Sequence, residues 1–390
     1  MAGERARPLT REKSSICIAA NTTWYVHNFR GRLIAELLER GYRVIVLSPT
    51  DKYVEKVRVL GAKHVYLPMN NAGTNPFSEL LTLIGIVNLL RRIRPAVLLT
   101  YTPKVNIYSA VAARLLGIPL VANVSGLGRA FTAGGWLEFL VRKFYWFALL
   151  TPRVVFFQNE DDRSEFLRAG LVANEKTYRL PGSGVDLDRF QPRNRVHGEK
   201  DFAFLLVARL LWDKGVGEYV EAARSLRYEF PHVSFRLLGF LEVQNPSAIS
   251  RDQVDAWMKE GLIDYLGEVE DVREIYASAD CMVLPSYYRE GVPRTLLEGA
   301  SMELPIITAD SVGCRDAVED GKTGFLCRPK DSKDLAIKMR KMLLLSEGER
   351  NLMGRAGREK MIREFDERIV IAKYLQVIGD ILGAAGRRPL

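Results

Sequence analysis

Two cations and two carboxylates stand out by type and spacing: Arg209 and Lys214, then Glu290 and Glu298. The carboxylates lie in the stretch Ser286-Tyr287-Tyr288-Arg289-Glu290-Gly291-Val292-Pro293-Arg294-Thr295-Leu296-Leu297-Glu298. Ahead of it, the apolar run Cys281 to Leu284 reads as a short buried strand, and Pro293 before a Leu-rich segment reads as the first turn of a helix. The amides of such a helix start, with Gly291 allowing close approach to the backbone, suit an anionic diphosphate. Glu290 in the loop and Glu298 on the helix then flank the anion, and carboxylates accept hydrogen bonds from paired hydroxyls. A sugar nucleotide, hydroxyl-rich on both sides of a diphosphate, has the matching shape. Taken alone, the pair reads as an ordinary helix carboxylate and a solvated loop residue.

A second element supplies the cations. Phe202 to Val207 is a strand-like apolar run ending in Ala208-Arg209-Leu210, and Trp212-Asp213-Lys214-Gly215 leads into a helical pattern. Arg209 and Lys214 thus sit at another strand-to-helix junction, where two cations can meet a diphosphate and neutralise charge building on a leaving group.

Together these four residues resemble the donor site of glycosyltransferase family 4, the retaining sugar-nucleotide transferases with two Rossmann-like domains. The resemblance runs from Ser15 to Leu382. Asn123-Val124-Ser125-Gly126-Leu127-Gly128, Glu290-Gly291-Val292-Pro293-Arg294 and Gly313-Cys314-Arg315-Asp316 are similar to the branch that adds N-acetylhexosamine or hexose to polyprenyl-diphosphate-linked sugars in bacterial glycan assembly. The resemblance implies an α/β, GT-B architecture: two Rossmann-like domains with parallel sheets facing across a cleft, and a C-terminal helix crossing back to the first. It implies catalytic roles for Arg209, Lys214 and Glu290, with Glu290 on the transferred sugar and Glu298 on the ribose. Backbone at Gly291, Val292, Pro293, Arg294 and Thr295 would hold the phosphates. Gly239 would open a loop packing on a nucleoside phosphate, and groups near Val269 would meet the uracil. No metal and no cofactor beyond the UDP-sugar substrate are implied.

The chain departs from the family pattern in its first domain. Where many members carry a Gly-rich loop, this chain has Asn21-Thr22-Thr23-Trp24-Tyr25, and the Ser125 loop holds no histidine. His27 is the one well-placed substitute, although a lone histidine is more often a packing or solvated residue.

At 390 residues the chain is too long for one compact core and suits two domains. The expected divisions are a disordered tail at 1–14, an acceptor-binding Rossmann-like domain at 15–185, a nucleotide-sugar-binding one at 186–366, and a crossover helix with tail at 367–390. Residues 1–150 hold 20 Lys/Arg against 8 Asp/Glu, or +12, and the rest 36 against 39, or −3, so the net charge of +9 is unevenly placed. That asymmetry points to an anionic partner. With the basic residues scattered and no nucleic-acid module present, an anionic membrane surface is favoured over nucleic acid, simple surface solvation being the plain alternative. Met1 to Lys13 lacks the apolar core of a signal peptide, and runs such as Leu80 to Val87 fall short of the about 20 residues that span a bilayer. A peripheral protein on the cytoplasmic face of the inner membrane, with no transmembrane helix, is expected. Cys17, Cys281, Cys314 and Cys327 show no paired spacing, which argues for a reducing compartment and against a metal site or disulfide framework.

Strand and helix signals alternate along the chain, predicting parallel sheets covered by helices. In the first half the expected strands are Ser15 to Ala20, Arg43 to Ser48, Ala96 to Tyr101, Leu120 to Val124 and Val154 to Gln158. The loops Asn21 to Asn28, Thr102 to Asn106 and Ser125 to Thr132 should then line one edge of the cleft, placing His27, Lys104, Asn106, Gly126, Gly128 and Arg129 near an acceptor diphosphate, with ordinary surface charge the alternative for the two cations. Pro181 to Pro192 reads as a linker, and Trp136 to Leu150, apolar nearly all round, as either a crossover helix or one resting in a membrane interface. The expected activity is transfer of a sugar such as GalNAc or GlcNAc from a UDP-sugar to a polyprenyl-diphosphate-linked saccharide. A soluble transferase with a small-molecule acceptor, a non-catalytic sugar-nucleotide binder of a membrane assembly complex, and a sugar-nucleotide epimerase are the alternatives.

Overall fold

The computed structural model describes residues 14–69, 76–126, 135–193, 202–241, 243 and 245–385. Seven parallel strands form the first sheet: β1 (Ser15–Ala19), β2 (Arg43–Ser48), β3 (Lys63–Tyr66), β4 (Val97–Tyr101), β5 (Leu120–Val124), β6 (Val154–Phe157) and β7 (Thr177–Arg179). Their order is β3-β2-β1-β4-β5-β6-β7. Helices α1 (Thr23–Glu39), α2 (Val54–Val59), α3 (Pro76–Ile93), α4 (Pro103–Leu116), α5 (Gly135–Leu149) and α6 (Glu160–Arg168) alternate with them. The central strands β1, β4 and β5 are buried at every residue, as strands covered on both faces must be.

The second domain repeats the plan with β8 (Phe202–Val207), β9 (Val233–Leu238), β10 (Asp264–Tyr265), β11 (Cys281–Leu284), β12 (Ile306–Ala309) and β13 (Gly324–Cys327). Its parallel order is β10-β9-β8-β11-β12-β13. Helices α7 (Val216–Leu226), α8 (Arg251–Lys259), α9 (Arg273–Ala277), α10 (Arg294–Ser301), α11 (Ser332–Leu344) and α12 (Glu347–Lys360) cover it. In both sheets the chain reverses its direction of progress at one place, between β1 and β4 and between β8 and β11. Ligands of open α/β sheets collect at the carboxyl ends of the strands at such switch points.

Helix α13 (Glu367–Ala385) leaves the second domain and packs Val370, Ile371, Tyr374, Val377 and Ile378 into the core of the first, beside Val26, Leu33, Tyr101 and Phe156. The Asn123 amide donates to the Tyr374 hydroxyl at 2.8 Å. The buried Arg30 guanidinium lies 4.3 Å from the Tyr101 ring centre and 5.9 Å from that of Tyr374, so aromatic faces offset the burial of its charge. The two crossings between domains run side by side: Val185 donates to Phe365 O at 2.8 Å and accepts from Glu367 N at 3.0 Å. Gly184 has φ +72°, and a Cβ there would lie 2.4 Å from the Glu367 Cα. The segment 181–192, read as a linker, is thus one of two crossing segments packed side by side.

Two expected loops are shorter than the sequence suggests. The Thr22 hydroxyl accepts from Tyr25 N and caps α1, so the helix starts at Thr23 and His27 lies on it, not in a loop. Pro103 opens α4, which places Lys104 and Asn106 on its first turns. The four cysteines are all buried and free. Among the described residues no helix is long and apolar enough to cross a membrane.

Candidate active site

Because β8 and β11 are neighbours, the loops following them meet at the second domain's switch point. After β8 the chain makes a short helical turn, Trp212–Lys214, and Gly215 redirects it with φ +77°. A Cβ on Gly215 would lie 2.3 Å from the Pro285 carbonyl oxygen, so only glycine lets this loop lie against the end of β11. Tyr287 and Tyr288 amides both donate to Asp213 O, at 3.1 and 3.0 Å, and zip the two loops together. The outcome is an ion pair between Lys214 and Glu290, with Lys214 6% exposed and its ammonium 5.5 Å from the Tyr288 ring centre. Ser286 Oγ also donates to Glu290 Oε1, at 3.3 Å. Arg209, on the same loop as Lys214, is exposed and makes no ion pair with any described residue.

Glu298 lies one turn inside α10. Arg294 Nε donates to its Oε1 at 3.0 Å and the Tyr276 hydroxyl to its Oε2 at 3.2 Å. Burial raises its pKa above the ordinary glutamate value, while Arg294 and Tyr276 pull it back. Arg294 also reaches the first domain, donating from Nη1 to Asn28 O at 2.7 Å with its guanidinium 5.4 Å from the Phe29 ring centre. Gly291, Val292 and Pro293 are buried at the start of α10 and Thr295 is half-buried. Gly239, after β9, has no space for a side chain, since a Cβ would fall 1.7 Å from Ala208 O; it packs against the base of the Arg209 loop. Val269, 39% exposed, precedes Glu270, whose carboxylate meets Lys56 of the first domain at 3.1 Å.

The expected acceptor residues are scattered. Lys104 pairs with Glu79 of α3 at 2.6 Å. Asn106 is 2% exposed and donates to Asn123 O at 2.8 Å, so its side chain serves the first domain's interior. His27 lies against the Tyr53 ring, and burial, with Lys56 and Arg189 nearby, lowers its pKa. Gly126 touches the other domain: a Cβ on it would lie 2.7 Å from the Glu290 Cα. Gly128 and Arg129 lie outside the described residues.

Sequence reasoning passed over the first-domain side of this contact. Ser125 O accepts from Gly291 N at 3.1 Å, Asn159 donates to Glu290 O at 3.3 Å, and Gln158 fills the space where a Cβ of Gly291 would sit. Arg289 pairs with Asp162 at 3.0 Å and Glu165 at 2.6 Å. Their one local sign is the helix-capping pattern of Asn159 and Asp162, which says nothing of a partner across the cleft. A cavity of about 740 Å³ lined by Arg91, Arg94, Arg153 and Leu116 lies at the opposite, amino edge of the first sheet, away from both switch points.

Two lobes of this topology facing across a cleft are the GT-B fold of glycosyltransferases. The crystal structure of a glycosyltransferase from Rickettsia africae ESF-5 matches with a TM-score of 0.75 at 19% identity, covering 95% of this chain and 99% of that one. Anabaena HepE in complex with UDP and glucose matches with a TM-score of 0.75 at 16% identity, over 94% and 99% of the two chains. The family described as "Glycosyl transferase 4-like domain" matches residues 26–183, and "Glycosyl transferases group 1" matches residues 188–360. Among curated relatives, the N,N'-diacetylbacillosaminyl-diphospho-undecaprenol alpha-1,3-N-acetylgalactosaminyltransferase of Campylobacter jejuni is 28% identical over 92% of this chain and 96% of its own length. The UDP-Gal:alpha-D-GlcNAc-diphosphoundecaprenol alpha-1,3-galactosyltransferase of Escherichia coli is 27% identical over 85% of each. The chain belongs to glycosyltransferase family 4.

Proposed function

We propose that this glycosyltransferase moves an N-acetylhexosamine, such as GalNAc or GlcNAc, from a UDP-sugar to a polyprenyl-diphosphate-linked saccharide in bacterial O-antigen, capsule or N-glycan assembly, with retention at the anomeric carbon. The observation that carries the reading is the meeting of Lys214 and Glu290 at the β8/β11 switch point, beside the exposed Arg209. The relatives' names support the rest: both act on diphospho-undecaprenol-linked sugars, and the Escherichia coli enzyme is named for UDP-Gal.

Arg209 and Lys214 stabilise the diphosphate as the bond from the anomeric carbon to its oxygen breaks. The acceptor hydroxyl attacks from the same face, forming the new glycosidic bond and passing its proton to the departing phosphate oxygen. Glu290 orients the transferred sugar and Glu298 the ribose, while amides at the start of α10 take phosphate oxygens. Catalysis in this reading uses no metal, because the two cations supply the charge.

Contact with an anionic membrane is supported by the first domain's surface. Helix α3 exposes Phe77, Leu80, Leu81 and Ile84, and α5 exposes Phe139, Phe144, Trp146 and Phe147. Basic groups accompany them: Lys143 lies 5.4 Å from the Phe139 ring centre and Arg114 5.4 Å from that of Phe147. Aromatics with neighbouring Lys and Arg suit the headgroup level of a bilayer, which supports a reading in which the enzyme takes its lipid-linked acceptor at the cytoplasmic face.

The test is to incubate the purified chain with a panel of UDP-sugars and short polyprenyl-diphosphate sugars, with and without chelator, and to read product mass and anomeric configuration. A mass increase of one N-acetylhexosamine with an α linkage, unaffected by chelator, is expected. Product formed only on small soluble acceptors, or free altered sugar without acceptor, would overturn the assignment.

A further inference from the structure

Glu290 belongs to the second domain, yet the backbone that carries it is held by the first. Asn159 caps α6: its Oδ1 accepts from Asp162 N at 2.7 Å, and its Nδ2 donates to Asp162 Oδ2 at 3.0 Å and to Glu290 O at 3.3 Å. The other oxygen of Asp162 accepts from Arg289 Nε at 3.0 Å. Asn159, Asp162, Arg289 and the Glu290 carbonyl therefore close a ring of hydrogen bonds across the cleft. Gly291 extends it by donating to Ser125 O at 3.1 Å, and a Cβ on Gly291 would lie 2.1 Å from Gln158 Oε1. Three consecutive residues, the side chain of 289, the carbonyl of 290 and the amide of 291, thus rest on the first domain. The Glu290 carboxylate turns back to its own domain, to Lys214 and Ser286, and the Glu290 and Gly291 carbonyls lie against Gly313.

We propose that Asp162 and Arg289 are positioning residues: through their ion pair the first domain sets where the Glu290 carboxylate stands, so the donor site is complete only when the two domains meet. The proposal rests on the reading of Glu290 as the carboxylate that orients the transferred sugar.

Helix capping alone does not account for Asp162. A carboxylate in the first turn of a helix is satisfied at the surface, where water and the helix dipole suffice. Asp162 is instead 0% exposed, and beyond its own cap its carboxylate is paired with Arg289 of the other domain. A buried carboxylate that loses its cation is strongly destabilising. Separation of the domains removes that cation, and their meeting restores it, which couples cleft closure to placement of the neighbouring residue. Glu165 adds a second hold, pairing with Arg289 at 2.6 Å and with Arg142 of α5 at 2.8 Å.

The experiment measures kcat and KM for transfer, and UDP-sugar affinity by calorimetry, in the full-length wild type and in Asp162→Asn, Arg289→Gln and the double variant, with melting temperatures as the folding check. Asp162→Asn keeps the shape and removes the charge; Arg289→Gln tests the same pair from the loop and avoids the first domain's interior. Each single variant is expected to lower kcat by about tenfold to a hundredfold, the range for slight misplacement of a catalytic group, while donor affinity stays within about twofold because the donor contacts lie in the second domain. The double variant should be no slower than the slower single one, as expected for two residues acting as a unit. A lowered melting temperature with kcat unchanged, or losses that multiply in the double variant, would overturn the latch alone. Absence of transfer by the wild type would overturn the functional reading and the latch with it.

Discussion

Lys214 and Glu290 form an ion pair although 76 residues separate them. They meet because β11 lies beside β8 in the sheet while β9 and β10 lie on β8's other side. Lys214 is nearly closed to solvent and Glu290 partly so, while Arg209, on the same loop as Lys214, is exposed and neutralised by no described residue. In the proposed reaction, a negatively charged leaving group brought here would find one guanidinium open and one ammonium already oriented.

Lys214→Ala should abolish most turnover and spare the fold. Removing one preorganised charge from a site where negative charge develops costs about 10²- to 10³-fold in kcat, and Arg209→Ala should fall in the same range. Steady-state rates with a melting curve on each variant check this; a Lys214→Ala enzyme with wild-type kcat would exclude the ammonium from the reaction.

Glu367 makes stability depend on pH at the domain crossing. Burial pushes its carboxyl up to about 7 from the ordinary 4.5, with Asp186 and Asp366 adding to the rise and Arg294 and Arg32 opposing it. The folded chain then binds this proton more tightly than the unfolded chain, so the contribution is complete below pH 4.5 and disappears as pH rises through about 7. Its full size is roughly 3 kcal/mol. Glu367→Gln should lose that dependence, so the stability difference between wild type and variant shifts in the variant's favour as pH is raised from 5 to 8. Equal pH profiles for the two proteins would count against a buried, titrating Glu367.

Tyr374 ties α13 to the first domain. Its ring packs 4.7 Å from the Phe156 centroid, and its hydroxyl accepts from Asn123. Tyr374→Ala should cost about 3–5 kcal/mol by cavity formation, whereas Tyr374→Phe should cost about 1–3 kcal/mol by leaving the buried Asn123 amide without an acceptor. Denaturant unfolding of both variants gives the comparison, and wild-type stability in Tyr374→Phe would mean that the hydroxyl contributes nothing.

Phe144 and Trp146 are 50% and 47% exposed on α5, so replacing each with Ser should change stability by no more than about 0.5 kcal/mol. Co-sedimentation with anionic vesicles should weaken severalfold and fall further with salt, as surface charge attraction is screened. Unchanged vesicle binding when both are replaced would count against a lipid contact on α5.

Local chemistry accounts for much of this fold. Runs such as Leu120–Val124, Phe202–Val207 and Cys281–Leu284 are mostly apolar because both faces of their sheets are covered, and their bounds can be read directly. The edge strands β3 and β7 and the strand β13 escape that reading. β3 is half exposed and carries Lys63 and His64, and β7 has three residues, two of them exposed. The start of α1 was equally hidden, since Trp24 and Tyr25 look like loop aromatics until Thr22 is seen capping them.

The four charged residues, the glycines around them and the strand-to-helix junctions that carry them are all present in the linear order of the chain, because turns and helix starts depend on neighbours a few positions away. Which junctions touch depends on strand order, and strand order is set by the packing of whole helices on whole sheets. The burial of Asn106, the pairing of Val185 with Glu367, and the grip of Asn159 and Asp162 on the loop of Glu290 belong to that second kind of information. Each joins segments far apart in sequence, and no local preference of the residues involved distinguishes these partners from any others.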